Sequence, residues 1–281
     1  MGEKRIRRPM YAKEDMGRLV KWFFGYPLVF IIYFVLSLLM PRVSSGMRMS
    51  LGLNILSYLV FLASFALVVS RFLKFPLLKM INQSQVVSYK NLLLGFITMF
   101  VLGAGTTFIW MALRPQSFSF TLSSGWALDF LLSLVLVVLA ALLEELMCRS
   151  YIAFFVNDTM AENPKQKLIY CLSSAIVFTI FHFQNPETSG SQAIYAMVFY
   201  FVMGFALMAV TLRTNGIEAA LGIHIANNLI SAWLFTYDDA VLVTNAVFTH
   251  HNNIGPVMII QSVFCITISC LAVVRFTRKT L

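Results

Sequence analysis

Long apolar runs separated by short polar segments dominate the chain. A helix that crosses a membrane needs roughly 20 predominantly apolar residues, and eight runs come close to this length. Because backbone groups in hydrocarbon must be hydrogen-bonded internally, each run predicts a helix. The predicted spans are residues 24–41, 50–72, 92–113, 128–157, 167–184, 191–212, 215–236 and 256–274. The predicted fold class is therefore all-α, a polytopic membrane bundle of about eight transmembrane helices.

Composition supports a multi-pass integral membrane protein. Hydrophobic residues make up 59% of the 281 residues and charged residues only 12%, whereas soluble domains carry about 25% charged residues. This excludes a disordered chain. The net charge is +9, but the basic residues lie between apolar runs, so they predict contact with a lipid bilayer surface and no nucleic acid.

The distribution of Lys and Arg predicts the orientation. Basic residues concentrate in cytoplasmic loops, and with the N-terminus inside, 17 of the 21 fall on the inner side. Only three fall outside, and Arg149 lies within the fourth span. Both ends of the chain are therefore predicted to be cytoplasmic. The three outer residues are Arg42, Arg48 and Arg114.

The chain is predicted to form a single membrane domain of residues 1–281, and the distribution of ionisable residues distinguishes several parts within it. A charge in the bilayer costs a few kcal/mol, so such residues mark functional sites or pairs. Nearly all of them lie in the fourth, fifth and seventh spans. We expect a basic cytoplasmic tail at 1–23, scaffold helices 1–3 at 24–113, catalytic helices 4–7 at 128–236, and a last helix at 256–274.

Helical spacing brings the polar residues of these spans to one level. Glu145 and Arg149 are four apart and share a face, whereas Glu144 is rotated by about 100°. Counted from the inner ends, Glu144, His182 and His224 lie roughly 14 to 22 Å deep. A set at one depth favours a functional site. Single residues also admit structural interpretations: His182 as an interhelical hydrogen bonder, Glu145–Arg149 as a salt bridge, Asp129 and Glu218 as charges near helix starts, and His250 and His251 as solvated loop residues.

Three short motifs occur in order on these spans. Glu144 to Arg149 reads EExxxR, Phe178 to His182 reads FxxxH, and His224 to Asn228 reads HxxxN. Together they resemble the CPBP family of intramembrane proteases, which includes CAAX endopeptidases, Ras-converting enzymes among them, and Abi-type proteins.

The resemblance implies a glutamate endopeptidase without a cofactor. Glu144 would activate water and His182 would help to hold it. His224 and Asn228 would stabilise the oxyanion, while Glu145, Arg149 and the motif residue Phe178 would support the site. The implied partner is a peptide or protein substrate, prenylated or otherwise membrane-associated.

Other interpretations of the same residues stay open at this level. Glu144, His182 and His224 are also a ligand set that zinc accepts with one position open, which would make the enzyme a zinc-dependent protease. Buried carboxylates and histidines also occur in proton-coupled transporters, and a non-catalytic immunity scaffold would keep the fold without the chemistry. The short loops favour the bacterial cytoplasmic membrane, or the endoplasmic reticulum if the protein is eukaryotic.

Overall fold

The fold is a helical bundle with a short sheet. The computed structural model describes residues 13–41, 46–153, 163–189, 193–238, 240–242, 244–251 and 255–277, with side chains from residue 17 onwards. The predicted tail up to residue 12 and the end of the fourth predicted span at 154–157 lie outside these residues. The helices are α1 (Lys13–Ser37), α2 (Met47–Leu67), α3 (Leu77–Ile81), α4 (Tyr89–Leu113), α5 (Trp126–Glu145), α6 (Tyr151–Ala153), α7 (Pro164–Phe181), α8 (Ala193–Thr214), α9 (Glu218–Leu229) and α10 (Pro256–Thr277).

Six described helical segments are long and apolar enough to cross a membrane, which confirms a polytopic bundle. The helices α7 and α9 match the fifth and seventh predicted spans but are not among the six. The helix α9 has only 12 residues, and both helices carry motif residues. The count of eight crossings therefore stays a prediction. The six segments are Gly17–Ser37, Met47–Phe72, Tyr89–Leu113, Trp126–Ala153, Ala193–Thr214 and Pro256–Thr277.

Three of the described helices end in a π-helical turn, which periodicity did not predict. The turns are Val68–Phe72 after α2, Leu146–Ser150 after α5 and Ile230–Leu234 after α9. Such turns are rare and are often found at functional sites. Two of the three directly follow helices that carry motif residues.

At one end of the bundle, hydrogen bonds join segments that the predicted topology places on the cytoplasmic side. Nε1 of Trp22 in α1 donates to the carbonyl of Tyr151 at 2.7 Å, and the Tyr151 hydroxyl donates back to the carbonyl of Trp22 at 2.7 Å. Glu218 at the start of α9 accepts from Nδ2 of Asn82 and from the backbone N–H of Ser88, both at 2.8 Å. Glu218 therefore fastens the segment between α2 and α4 to α9.

Contacts at the opposite end join the segments predicted to lie outside. Three short strands, β1 (Phe118–Phe120), β2 (Phe235–Tyr237) and β3 (Phe248–His250), form a sheet in the order β1-β3-β2. Strand β3 pairs antiparallel with β1 and parallel with β2. Buried Asp129 accepts from Nε of Arg48 at 2.6 Å and from Nδ2 of Asn245 at 3.2 Å. The prediction that His250 is solvated was wrong, because strand pairing leaves it only 6% exposed.

Small residues set the position of the two histidine-bearing helices. A Cβ atom at Gly222 of α9 would overlap the carbonyl oxygen of Leu92 in α4. A Cβ at Gly204 of α8 would lie 2.7 Å from Cα of Ala175 in α7. Glycine at these positions lets the helices approach closely. Close packing therefore fixes α9 against α4 and α7 against α8.

Candidate active site

The EExxxR motif lies where α5 gives way to its π turn. Glu145 is the last residue of α5, and Arg149 lies in the turn. Both side chains are fully buried, and Nη1 of Arg149 is 3.2 Å from Oε1 of Glu145. The pair predicted from the spacing of four residues is therefore present, with the guanidinium held inside the bundle.

Glu144 points away from this pair and toward the two predicted histidines. Its Oε2 is 3.7 Å from Nε2 of His182 and 3.5 Å from Nε2 of His224. Within the described residues, this oxygen has no hydrogen-bond partner. Residues from α5, from the C-terminal end of α7 and from α9 thus meet at one carboxylate oxygen. The common depth inferred from the sequence predicted this meeting.

His224 lies between the two glutamates of the motif. Its Nδ1 is 2.8 Å from Oε1 of Glu145, and its Nε2 faces Glu144. A hydrogen bond between an imidazole nitrogen and a carboxylate places the proton on the nitrogen. Glu145 therefore fixes the orientation of His224, and Arg149 compensates the buried charge of Glu145.

His182 is oriented by the helix turn that precedes it. It follows the last residue of α7, and its Nδ1 is 2.7 Å from the carbonyl oxygen of Phe178. A carbonyl only accepts, so Nδ1 carries the proton, and in the neutral ring Nε2 is an acceptor. Two acceptors then face each other across 3.7 Å, from His182 and Glu144. A water molecule that donates one O–H to each satisfies both.

Phe178 packs at the centre of these groups. The guanidinium of Arg149 lies 4.4 Å from the centroid of its ring. The same ring lies 4.4 Å from the ring of His182 and 5.8 Å from that of His224. A buried cation over an aromatic face is stabilised by the ring quadrupole. Phe178 therefore supports the arginine and contacts both histidines.

Asn228 lies one turn beyond His224 on α9, as the HxxxN spacing predicts. Its Oδ1 accepts from Nδ2 of Asn227 at 3.1 Å. The amide NH2 of Asn228 is then the group left to donate into the cavity. The sequence indicated the polar pair but not that Asn227 orients Asn228.

The site opens into a cavity of about 750 Å³. Glu144, His182, His224 and Asn228 all line it, so the predicted catalytic residues share one space. Its walls are largely apolar, and α1 and α2, predicted only as scaffold, contribute Phe30, Tyr58 and Phe61. Three further polar residues, which carried no motif, line the cavity beside His182: Asn185, Glu187 and Tyr200.

The zinc-dependent alternative concerns Glu144, His182 and His224. Among the described residues, no group of three or more His, Cys, Asp or Glu side chains is arranged to hold a metal ion. Reaction without a metal stays a prediction, to be tested by chelation.

The segment that carries the three motifs is similar to a known protein family. Residues 125–230 match the family described as type II CAAX prenyl endopeptidase Rce1-like. The chain is 28% identical over 201 residues to the uncharacterized protein YyaK of Bacillus subtilis (strain 168), and this alignment covers 71% of the chain and 66% of YyaK. No solved structure matches the chain. All three motifs fall within residues 125–230, so the resemblance to CAAX endopeptidases predicted from the motifs is confirmed over this segment.

Proposed function

We propose that this integral membrane protein is an intramembrane endopeptidase that hydrolyses a peptide bond by glutamate-activated water. The observation that carries the proposal is the position of Glu144 Oε2, within 3.7 Å of Nε2 of His182 and 3.5 Å of Nε2 of His224 at a cavity. A base beside a bound water is what hydrolysis of an amide requires. The match of residues 125–230 to an endopeptidase family supports the same reaction.

The first step uses Glu144 and His182. Water bound between them donates one proton toward Oε2 of Glu144 and the other toward Nε2 of His182. As the water oxygen attacks the peptide carbonyl carbon, its proton moves to Glu144 and the carbonyl oxygen becomes an oxyanion. When the C–N bond breaks, Glu144 gives this proton to the leaving amine, which restores the carboxylate.

The second requirement is a pair of donors for the oxyanion, and α9 supplies it. Asn228 donates from its amide. His224 donates from Nε2 only as the imidazolium, because Nδ1 keeps its proton for Glu145. The carboxylate of Glu145 stabilises this cation, and Arg149 prevents Glu145 from being an isolated buried charge. In this mechanism Glu144 of the EExxxR motif activates the water, and Glu145 and Arg149 of the same motif support the oxyanion through His224.

The apolar cavity favours a substrate that reaches the site from the membrane. Phe30, Phe61 and Phe181 line it together with the polar centre. We propose a membrane-associated peptide, either a CAAX-type C-terminus or a leader-like segment, as the substrate. The proposed location is the bacterial cytoplasmic membrane.

The test is cleavage of both substrate types by the full chain in proteoliposomes, with products identified by mass spectrometry. We expect one defined cut in at least one type, at a rate unchanged by exhaustive chelation. Loss on chelation with recovery only by added zinc would establish the zinc-dependent version. Proton flux without any peptide product would establish a transporter, and neither product nor flux would leave a non-catalytic scaffold.

Replacing Asn228 by Ala is expected to lower kcat by about 100-fold or more, because one oxyanion donor is typically worth this much. KM should change little, since the donor acts on charge that develops only in the transition state. Steady-state cleavage of the identified peptide measures both constants. Asn82→Ala would disturb the fold instead, so Asn163→Ala, at the exposed start of α7 and outside the cavity lining, is the matched control. An unchanged kcat in Asn228→Ala would contradict the proposed role.

A further inference from the structure

His182 lies outside the regular part of its helix, so the helix alone does not hold its ring. It caps α7 with backbone angles of φ −98° and ψ 2°. Within its own turn, the ring is bonded from Nδ1 to the carbonyl of Phe178. The Phe178 ring also contacts the His182 ring in a tilted arrangement, with the centroids 4.4 Å apart, but both of these contacts come from the preceding turn. Some further contact must therefore keep Nε2 aimed at Glu144.

The ring of Tyr200 supplies that contact. Its centroid lies 4.0 Å from the centroid of the His182 ring, and the two planes are inclined by 27°, which is a stacked arrangement. Tyr200 belongs to α8, which packs against α7 through Gly204. The imidazole of His182 thus stacks on the Tyr200 ring, which belongs to a different helix.

The position of Tyr200 is itself fixed by the segment that follows His182. The Tyr200 hydroxyl donates to Oε1 of Glu187 and accepts from Nδ2 of Asn185 at 3.0 Å. Asn185 also donates to the same Glu187 oxygen at 3.3 Å. Tyr200 and Glu187 are each only 8% exposed. Both hydrogen-bonding functions of the hydroxyl are therefore used in a buried environment.

The segment that contains Asn185 and Thr188 also donates hydrogen bonds to the backbone of His182. The backbone N–H of Asn185 donates to the carbonyl of His182 at 3.1 Å, and Oγ1 of Thr188 donates to that carbonyl at 3.3 Å. His182, Asn185 and Tyr200 thus form a closed ring of contacts, with Glu187 joining two of them. The backbone and the side chain of His182 are held by one arrangement.

We infer that Tyr200 is a positioning residue for His182, held in place by Glu187 and Asn185. This inference rests on the proposed function, in which His182 Nε2 accepts a hydrogen bond from the attacking water. Tyr200 does not touch the water; it keeps Nε2 at the distance from Glu144 that a bridging water needs. A displacement of about 1 Å at a reacting centre can reduce the rate about 100-fold.

Graded substitutions test this inference. Tyr200→Phe keeps the stacked ring and loses the hydroxyl, so we expect kcat to fall about 10-fold; Tyr200→Leu loses both, so we expect about 100-fold. Glu187→Ala should match Tyr200→Phe, whereas Glu187→Gln keeps a carbonyl acceptor and should stay close to wild type. KM should stay within about twofold in all four, because positioning acts on the chemical step. Tyr195→Leu, on the same helix, is the control.

A second measurement does not depend on activity. The chain has four histidines, so a sample labelled at the histidine ring carbons gives few NMR signals, and His182→Ala identifies the signal of His182. Tyr200→Leu should shift this signal, because the ring current of Tyr200 is lost, and Tyr195→Leu should not. A His182 signal and a kcat that both stay at wild-type values in Tyr200→Leu would overturn the inference.

Failure of the inference and failure of the proposed function give different results. If Glu144→Gln is inactive while Tyr200→Leu cleaves at the wild-type rate, only the positioning role fails. If Glu144→Gln cleaves like wild type, the proposed mechanism fails, and the NMR signal still reports whether Tyr200 holds the His182 ring.

Discussion

Glu144→Gln is expected to reduce peptide cleavage by about 1,000-fold, within the range that general-base catalysis contributes. Glutamine has the shape of glutamate but its amide cannot take a proton from water. Oε2 of Glu144 makes no hydrogen bond to the described residues, and its side chain is 20% exposed. The substitution therefore removes the base without removing a bond that the fold depends on. The unfolding transition should match that of the wild type.

The measurement is the rate of product formation in proteoliposomes, with thermal unfolding in detergent measured on the same preparations. Glu218→Gln is the matched control, because it changes another buried glutamate, and a glutamine oxygen can still accept the hydrogen bonds from Asn82 and Ser88. This control should cleave at the wild-type rate. A Glu144→Gln variant that keeps more than about a tenth of the activity would be incompatible with a general-base role for Glu144.

The sequence predicted the polar centre because helical geometry relates spacing to direction. Spacings of four residues placed Glu145 with Arg149 and His224 with Asn228, and the rotation between adjacent residues turned Glu144 away from the arginine. Counting residues from the inner helix ends then brought three helices to one level. The structure gives these relations as distances, with Glu144 Oε2 within 3.7 Å of both histidines.

Other features depend on contacts between distant segments, which periodicity does not encode. His250 is buried because three short strands, contributed by distant parts of the sequence, pair at one end of the bundle. Glu187 follows the end of α7 in a short 3-10 turn and acquires its role only through Tyr200 of α8. The π turns were not predicted by the pattern of apolar positions either. Polar residues beside a motif histidine were the one available signal for Asn185 and Glu187.

The two glutamates of the motif explain why stability and catalysis should respond differently to changes at Arg149. Arg149 and Glu145 are fully buried and lie 3.2 Å apart. Arg149→Met leaves the carboxylate of Glu145 without its cation and removes the contact with Phe178. Removing one partner of a buried pair typically costs about 3–5 kcal/mol. We therefore expect the free energy of unfolding in detergent to fall by about 3 kcal/mol, with Arg213→Met at an exposed site as the control.

The double variant Glu145→Gln with Arg149→Met is expected to recover most of this stability, since no uncompensated charge is left and such pairs are often replaced at little cost. Activity should not recover. The glutamine of this variant can still accept a bond from Nδ1 of His224, but it carries no charge to stabilise the imidazolium that donates to the oxyanion. Unfolding and cleavage measured on the single and double variants separate the two effects. If the double variant regained wild-type cleavage, Glu145 would have only a structural function, and the oxyanion would have to be stabilised by Asn228 and a neutral His224.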